Sequence, residues 1–228
     1  MYPKPKILWC GDTGISVEFG DSIDPETNTL VRNLFAALKS AAHPGIVDLN
    51  PTYRSLFIQY DPWTCSFERL VQLVEDCTES AAEAAPENTV IKDVPVCYEE
   101  DYGPDLEEVA RFHHLSAEKV IGLHCAPVYR VYMIGFTPGF AYLGGLDERL
   151  HTPRKKDPRK TVPPGSVGIA DQQTGIYPIE SPGGWQLIGR TPLKLFDPLR
   201  EVPFLLQAGD FVRFRPISGD EFAKHSNS

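Results

Sequence analysis

The apolar rhythm of the chain changes near its middle. In the first half, period-two runs alternate with stretches at helical spacing. Ile7-Leu8-Trp9 and Gly14 to Phe19 predict two short strands, the second alternating apolar and polar. Asp24-Pro25-Glu26 predicts a helix start, with Asp as cap and Pro at the first helical position. Leu30, Val31, Leu34, Phe35 and Leu38 share one face until Pro44-Gly45 stops that helix. Ile46 to Leu49 and Ser55 to Tyr60 predict two strands joined through Asn50-Pro51. Ser66 caps a second helix with Phe67, Leu70, Val71, Leu73 and Val74 as its apolar face. The Ala- and Glu-rich residues 79–88 predict a loose connection, and Val90 to Tyr98 predicts a strand. That order is the split βαβ pattern of a small α+β sandwich.

Beyond Cys97 the texture shifts. Pro104 to His114 and Ser116 to His124 predict two short helices. From Pro127 onward the pattern is all-β, with strands expected at 128–134, 166–170, 185–189, 193–196 and 209–214. Short strands punctuated by Gly and Pro predict a closed or nearly closed barrel. The last ten residues are polar and predict a frayed end. The expected domains are therefore 1–95 and 96–228.

Residues 135–192 hold ten of the 18 glycines and eight of the 21 prolines. A stretch so rich reads as disordered when nothing can order it. This one carries Phe136, Phe140, Tyr142, Tyr177 and Trp185, whose burial can offset the ordering entropy. It predicts tight turns and short strands that shape a site. The overall content, 42% apolar and 23% charged, is that of a soluble globular protein. No apolar run approaches the roughly 18 residues needed to span a bilayer. No apolar h-region of signal-peptide length follows Lys4 and Lys6 before Gly11-Asp12, so a cytoplasmic location is expected. Five cysteines without a CxxC spacing argue against a disulfide framework and against zinc.

The net charge of −9 disfavours nucleic acid as a partner. Residues 149–160 break that pattern, with six Lys or Arg and one Asp. Such a basic island suits a small anion or an acidic partner surface. Arg154 and Arg159 each follow a proline, which biases them to a stiff extended or turn geometry. A guanidinium so presented suits a bidentate grip on carboxylate or phosphate, and both are candidate catalytic residues. Arg190 is a candidate third. The alternative is a set of structural bridges tying the loop to the barrel. Lys155 and Lys156 read as solvated surface lysines.

The turn Gly135-Phe136-Thr137-Pro138-Gly139-Phe140 offers backbone amides and two rings, a cradle for an oxyanion or carboxylate. It reads equally as a tight barrel corner with Phe140 in the core. Gly135, Phe136, Pro138, Gly139 and Phe140 are therefore substrate-binding candidates. Tyr142, Tyr177, Ser181 and Trp185 join them, each a polar tip on a mostly small or apolar body. Gln173 and Thr174 could orient an amide. His124 is a candidate general base. Ser166 lacks a G-x-S-x-G elbow, so a serine-hydrolase reading fails. No metal-ligand spacing, phosphate loop or dinucleotide fingerprint occurs.

These motifs resemble one family. Gly135 to Phe140 followed by Tyr142-Leu143-Gly144-Gly145-Leu146 is the first match. Pro153-Arg154, Pro158-Arg159, Val162-Pro163 and Gly165 to Ala170 continue it. Gln173 to Pro178, Ser181 to Trp185, Ile188 to Pro192 and the ending Gly209 to Phe214 complete it. The chain is similar to the allophanate hydrolase subunit 1, or KipI, family, which includes one of the subunits of bacterial 5-oxoprolinase, the B component. Asp171-Gln172 and His113-His114 depart from the usual pattern, which favours Gly or Asn-Gly there. The resemblance implies a ferredoxin-like N-terminal domain and a cyclophilin-like β-barrel C-terminal domain. It implies a subunit-2-type partner (KipA, the C component of oxoprolinase) and an A component of the LamB/YcsF type. It further implies ATP-dependent opening of 5-oxoproline to glutamate, with no ATP site identifiable in this chain.

A second implied reading is an inhibitor that docks on a sensor histidine kinase. A third is a component of an allophanate- or urea-processing enzyme. Prolyl isomerisation would rest on fold analogy alone.

Overall fold

Alternation of Ile15 and Val17 in one strand and of Leu56 and Ile58 in the next places four fully buried side chains on one face of a sheet. The computed structural model describes residues 1–81 and 91–226. It divides into two compact units, Met1–Asn88 and Thr89–Ser228.

In the first unit the strands are β1 (Lys6–Trp9), β2 (Gly14–Glu18), β3 (Ile46–Pro51) and β4 (Ser55–Tyr60). They form one antiparallel sheet in the order β1-β2-β4-β3. Helices α1 (Pro25–Ala41) and α2 (Phe67–Ala81) complete the unit. Asp24 caps α1 through its carboxylate, which accepts the Thr27 N–H at 2.8 Å. Val31, Leu34 and Leu38 of α1 and Leu70 and Val74 of α2 share a core cluster with β2 and β4. Helical spacing puts each set on one stripe, and burying the two stripes against the sheet supplies the driving force.

The expected connection over 79–88 lies outside the described residues beyond position 81. Of the strand expected at 90–98, the described part is β5 (Ile91–Cys97), and it belongs to the second unit. It therefore does not close the N-terminal sheet, as the split βαβ order led us to expect. The reason is pairing: β5 runs parallel to the final strand over its whole length, Ile91↔Phe211 to Cys97↔Ile217. A register that long, with Val94, Val96 and Cys97 buried, outweighs local order along the chain.

After β5 the second unit continues with α3 (Leu106–Phe112) and α4 (Ala117–Cys125), the latter capped by Ser116, whose hydroxyl accepts the Lys119 N–H. A closed seven-stranded barrel follows. Its members beside β5 are β6 (Tyr129–Ile134), β7 (Ala141–Gly144), β9 (Ser166–Ala170), β10 (Gln173–Ile176), β12 (Gln186–Arg190) and β13 (Phe211–Ile217). The order around the barrel is β10-β7-β6-β13-β5-β12-β9. Closure removes the exposed edges that short strands would leave. Outside it, β8 (Arg159–Val162) and β11 (Ser181–Gly183) form a two-stranded ribbon.

Two local expectations fail. Residues 193–196 are no strand; only Phe196 bridges to Phe204. The polar C-terminal stretch is not frayed but forms α5 (Gly219–Ser226). Ser218 and Glu221 make a reciprocal capping box there, and buried Phe222 packs its ring 4.4 Å from that of Tyr102.

Candidate functional site

Five aromatic rings converge beside the β8–β11 ribbon. Phe140 is the hub, 1% exposed. Its ring stands edge-on to Tyr177 at 5.0 Å, to Trp185 at 5.4 Å and to Phe136 at 5.7 Å, and tilts against Tyr142 at 4.7 Å. Such edge-to-face geometry suits ring quadrupoles. Gly183 makes the approach possible, because a Cβ there would run into the Tyr177 hydroxyl. These rings wall a cleft of about 290 Å³, and Arg154 and Lys155 also line it. Six of the residues expected at a site, Phe136, Phe140, Tyr142, Arg154, Tyr177 and Trp185, are thus brought together.

The turn before Phe140 commits three of its five N–H groups to internal bonds. The N–H of Gly135 donates to Phe140 O, that of Thr137 to Gly135 O, and that of Phe140 to Thr137 O. These bonds tie the turn into a corner. Its cost falls on Phe136, held at φ 65°, a left-handed conformation that bulky residues resist. Phe136 is 64% exposed at the cleft. Gly139 takes φ 85° and packs on Phe196 and Phe204. Gly135, Pro138 and Gly139 shape the corner and do not line the cleft.

The cations sort into two roles. Arg154 is 60% exposed, its Nε 3.5 Å from Asp171 Oδ2 and its guanidinium 6.0 Å from the Trp185 ring. A pair so exposed is weak and exchangeable, so Arg154 can turn to an anion in the cleft. Arg159 is committed: its Nη2 donates to Asp105 Oδ1 at 2.7 Å. Asp105 was not expected at all. It is 2% exposed and also accepts from Lys155 Nζ at 2.9 Å and, on Oδ2, from the Leu187 N–H at 2.7 Å. Burial pushes its carboxyl up, but the donors from Arg159, Leu187 and Lys155 prevail and hold it below the ordinary value. Lys155, read from sequence as a solvated lysine, bonds Glu108 as well at 3.0 Å. Burial would lower its ammonium, yet Asp105 and Glu108 keep it above the ordinary lysine value. The one sequence signal for Asp105 was its place after Pro104 at a helix start, which reads as a plain cap.

Tyr177 stays protonated. Burial pushes its hydroxyl up to about 12, against the opposing pull of the Trp185 N–H and the nearby Arg154 and Arg159. It is therefore a hydrogen-bond donor at neutral pH. Tyr142 is also raised by burial, with Arg154 pulling the other way.

The remaining expected residues lie elsewhere. His124 is fully buried and does not line the cleft. Its Nε2 meets Thr174 Oγ1 at 2.9 Å, and Thr174 in turn donates to Gly168 O. The hydroxyl proton is thereby used, so Nε2 carries the imidazole proton and Nδ1 accepts from Tyr98 Oη at 2.8 Å. Burial holds this imidazole down at about 3, so it is neutral and both nitrogens are engaged. Thr174 belongs to that same interior network. Gln173 sits at the start of β10, away from the cleft wall. Ser181 is 7% exposed at the ribbon, with no partner for its hydroxyl among the described residues. Arg190 donates to Pro164 O at 2.8 Å and stacks over Phe222, outside the cleft.

Among the described residues, no group of three or more His, Cys, Asp or Glu side chains could hold a metal ion. No helix among them is long and apolar enough to cross a membrane.

Known proteins share this geometry's sequence and fold. Residues 5–206 match the family described as the carboxyltransferase domain, subdomain C and D. The chain is 43% identical to the B component of 5-oxoprolinase from Bacillus subtilis over 232 residues, 97% of each chain. It is 42% identical to the same component from Escherichia coli O157:H7, covering 90% of this chain and 93% of that one. The crystal structure of TTHA0988 superposes with TM-score 0.81 at 42% identity; the match covers 91% of this chain and 40% of that longer one. Urea carboxylase of Kluyveromyces lactis shares the fold, with TM-score 0.75 at 22% identity over 98% of this chain and 23% of its own.

Proposed function

This chain belongs to the carboxyltransferase-domain family, subdomain C and D, alongside the 5-oxoprolinase B components of the allophanate hydrolase subunit 1 (KipI) family, and on that premise we propose that it is the B-type component of an ATP-consuming 5-oxoprolinase. In this reading its N-terminal unit is ferredoxin-like and its barrel cyclophilin-like. It works in the cytoplasm with a subunit-2-type partner and an A component of the LamB/YcsF type, and it is inactive alone. The complex opens the 5-oxoproline ring to glutamate, and ATP is consumed by the assembly.

The observation that carries this reading is the meeting of Arg154 with the ring-walled cleft. 5-Oxoproline is a small flat lactam bearing one carboxylate. The rings supply apolar contact to its face. Arg154, free to leave its screened partner Asp171, supplies a bidentate grip on the carboxylate. Tyr177, protonated at neutral pH, supplies a donor to an acceptor oxygen. Ring opening builds negative charge on the lactam oxygen, and donors already in place lower that barrier. Arg159, tied to Asp105, positions the wall and does not touch the substrate.

The test is reconstitution. The three proteins of the complex are co-expressed and ATP-dependent glutamate release is measured. Arg154→Ala is expected to cut kcat/KM by about 10- to 100-fold, the size of a lost charge-assisted contact. A rate equal to wild type removes Arg154 from the site and the cleft with it.

A further inference from the structure

The acids around the ring-walled cleft are apportioned among its cations. Asp105 serves Arg159 at 2.7 Å and Lys155 at 2.9 Å, and Glu108 serves Lys155 at 3.0 Å. Arg154 is paired with a different acid, Asp171. Arg154 lines the cleft and Asp171 does not. The guanidinium thus has two weak attachments: the Trp185 ring, part of the cleft wall, at 6.0 Å, and the Asp171 carboxylate at 3.5 Å. Asp171 reaches that place at a backbone cost. With Gln172 it forms the two-residue link between β9 and β10, which pair at Ala170 and Gln173. It takes φ 51°, a left-handed angle that suits glycine and that aspartate is one of the few side chains to tolerate. The link is pinned through its backbone: the Asp171 N–H donates to Thr152 O at 2.7 Å. Thr152 stands two residues before Arg154, so this bridge brings the turn and the arginine together. The Asp171 side chain is not needed for that bond. What its carboxylate meets is Arg154.

We propose that Asp171 is a built-in competitor for Arg154 and thereby sets how strongly the cleft holds a carboxylate. The inference rests on the 5-oxoproline reading of the cleft and adds a residue that touches no substrate and acts through Arg154. A ligand carboxylate gripped by Arg154 arrives beside a carboxylate already there. The two repel, and the guanidinium must release Asp171 or hold both less well. With Arg154 60% and Asp171 63% exposed at their side chains, the pair is screened, so the ligand can win at small cost. Asp171 therefore penalises an anionic ligand and is indifferent to a neutral one with the same ring. The ring-opened product carries the same carboxylate, so the competitor also favours its release.

The experiment is calorimetric titration of the full chain with 5-oxoproline and with 5-oxoprolinamide, in which a neutral amide replaces the carboxylate. Asp171→Asn removes the charge and keeps the turn, since Asn also accepts a left-handed backbone. It should bind 5-oxoproline about 2- to 5-fold more tightly than wild type, the range of an exposed ion pair. It should bind the amide as wild type does. Asp171→Gly, which relieves the backbone as well, should show the same gain. Asp220→Asn, at an exposed position of α5, makes the same change in net charge and should alter neither affinity. Unchanged 5-oxoproline binding in Asp171→Asn and Asp171→Gly overturns the role. Weaker binding overturns it too, by making Asp171 a support that orients Arg154. An equal gain with the amide, or in Asp220→Asn, also overturns it, because the effect would then not run through the ligand's carboxylate. Arg154→Ala separates this inference from the proposed function. A loss of 5-oxoproline binding there, without a gain in Asp171→Asn, removes the competitor and leaves the cleft assignment standing. No saturable 5-oxoproline binding in wild type or in either Asp171 variant removes both.

Discussion

Lys155 Nζ lies 2.9 Å from Oδ1 of Asp105, fifty residues away in the chain, and this contact fixes the ammonium at the wall of the ring-lined cleft. Asp105 is 3% exposed at its side chain, against 22% for Lys155 and 27% for Arg159. Removing the one acid would leave two partly buried cations without their shared partner. Asp105→Asn is expected to destabilise the chain by about 1–3 kcal/mol at pH 7. The sign with pH is defined. The Asp105 carboxyl is held below its ordinary value in the fold, so its contribution is full above the unfolded carboxyl range. It is lost as pH falls through the folded value. Urea midpoints of wild type and Asp105→Asn should differ at pH 7 and converge in acid. A constant gap across that range would contradict the assignment.

His124 predicts a second, separate acid limb. Its folded imidazole is held at about 3 by burial, whereas the unfolded side chain titrates near about 6.5. Between those values only the unfolded chain takes up the proton, so stability falls as pH drops through that window. His124→Phe removes this limb. It also removes the imidazole partner of the Tyr98 hydroxyl, which keeps Cys125 Sγ, and of Thr174, which keeps Gly168 O, so the variant starts less stable at pH 7 by about 1 kcal/mol. The two stability curves should approach each other as pH falls from about 6.5. Parallel curves would show that His124 is not the titrating group.

Much of the fold was legible in the pattern of residues, for identifiable reasons. Asp24 and Pro25 marked the start of α1, and Gly14 to Glu18 and Ser55 to Tyr60 showed their period of two. Local chemistry decided those elements. The place of β5 was not legible, because its partner β13 lies some 120 residues away. Asp171 at φ 51° and His114 at φ 56° sit where the family pattern favours Gly or Asn-Gly, and their left-handed backbone explains that preference. The rings and Arg154, which line the cleft, could be read from side-chain type. The Asp105–Lys155 pair could not, since the two meet only through the packing of α3 against the loop before β8. Arg159 shows the same limit: its proline neighbour announced a rigid arginine, and the fold spends that rigidity on Asp105.

Phe136 sets stability against function. Its φ of 65° costs of order 1 kcal/mol for a bulky residue. Phe136→Gly relieves that strain, and little burial is lost because the ring is mostly exposed. The variant should melt at the wild-type temperature or slightly above, since glycine's added freedom in the unfolded chain offsets part of the relief. Its affinity for 5-oxoproline should fall, because the ring no longer walls the cleft. Lower stability with unchanged affinity would place Phe136 in the fold and not in the site.

Gly183→Ala should behave in the opposite way. The new Cβ would press on the Tyr177 hydroxyl and ring, and Tyr177 must shift to admit it. Overpacking of this kind costs about 1–3 kcal/mol. Gly145→Ala serves as the control, since at φ 100° it carries backbone strain but meets nothing within 4 Å. Only Gly183→Ala should alter the near-ultraviolet dichroism of the aromatic cluster. Identical spectra for the two variants would mean the ring packing tolerates the methyl.

The ring-walled cleft reports on itself through Trp185. Of the three tryptophans, Trp9 and Trp63 are exposed, so Trp9→Phe and Trp63→Phe leave Trp185 as the single emitter. Titrating 5-oxoproline into that chain should give a saturable change in emission, and adding Arg154→Ala should raise Kd by at least about tenfold. An emission that never responds, or a Kd that ignores the loss of Arg154, contradicts the assignment of this cleft to 5-oxoproline.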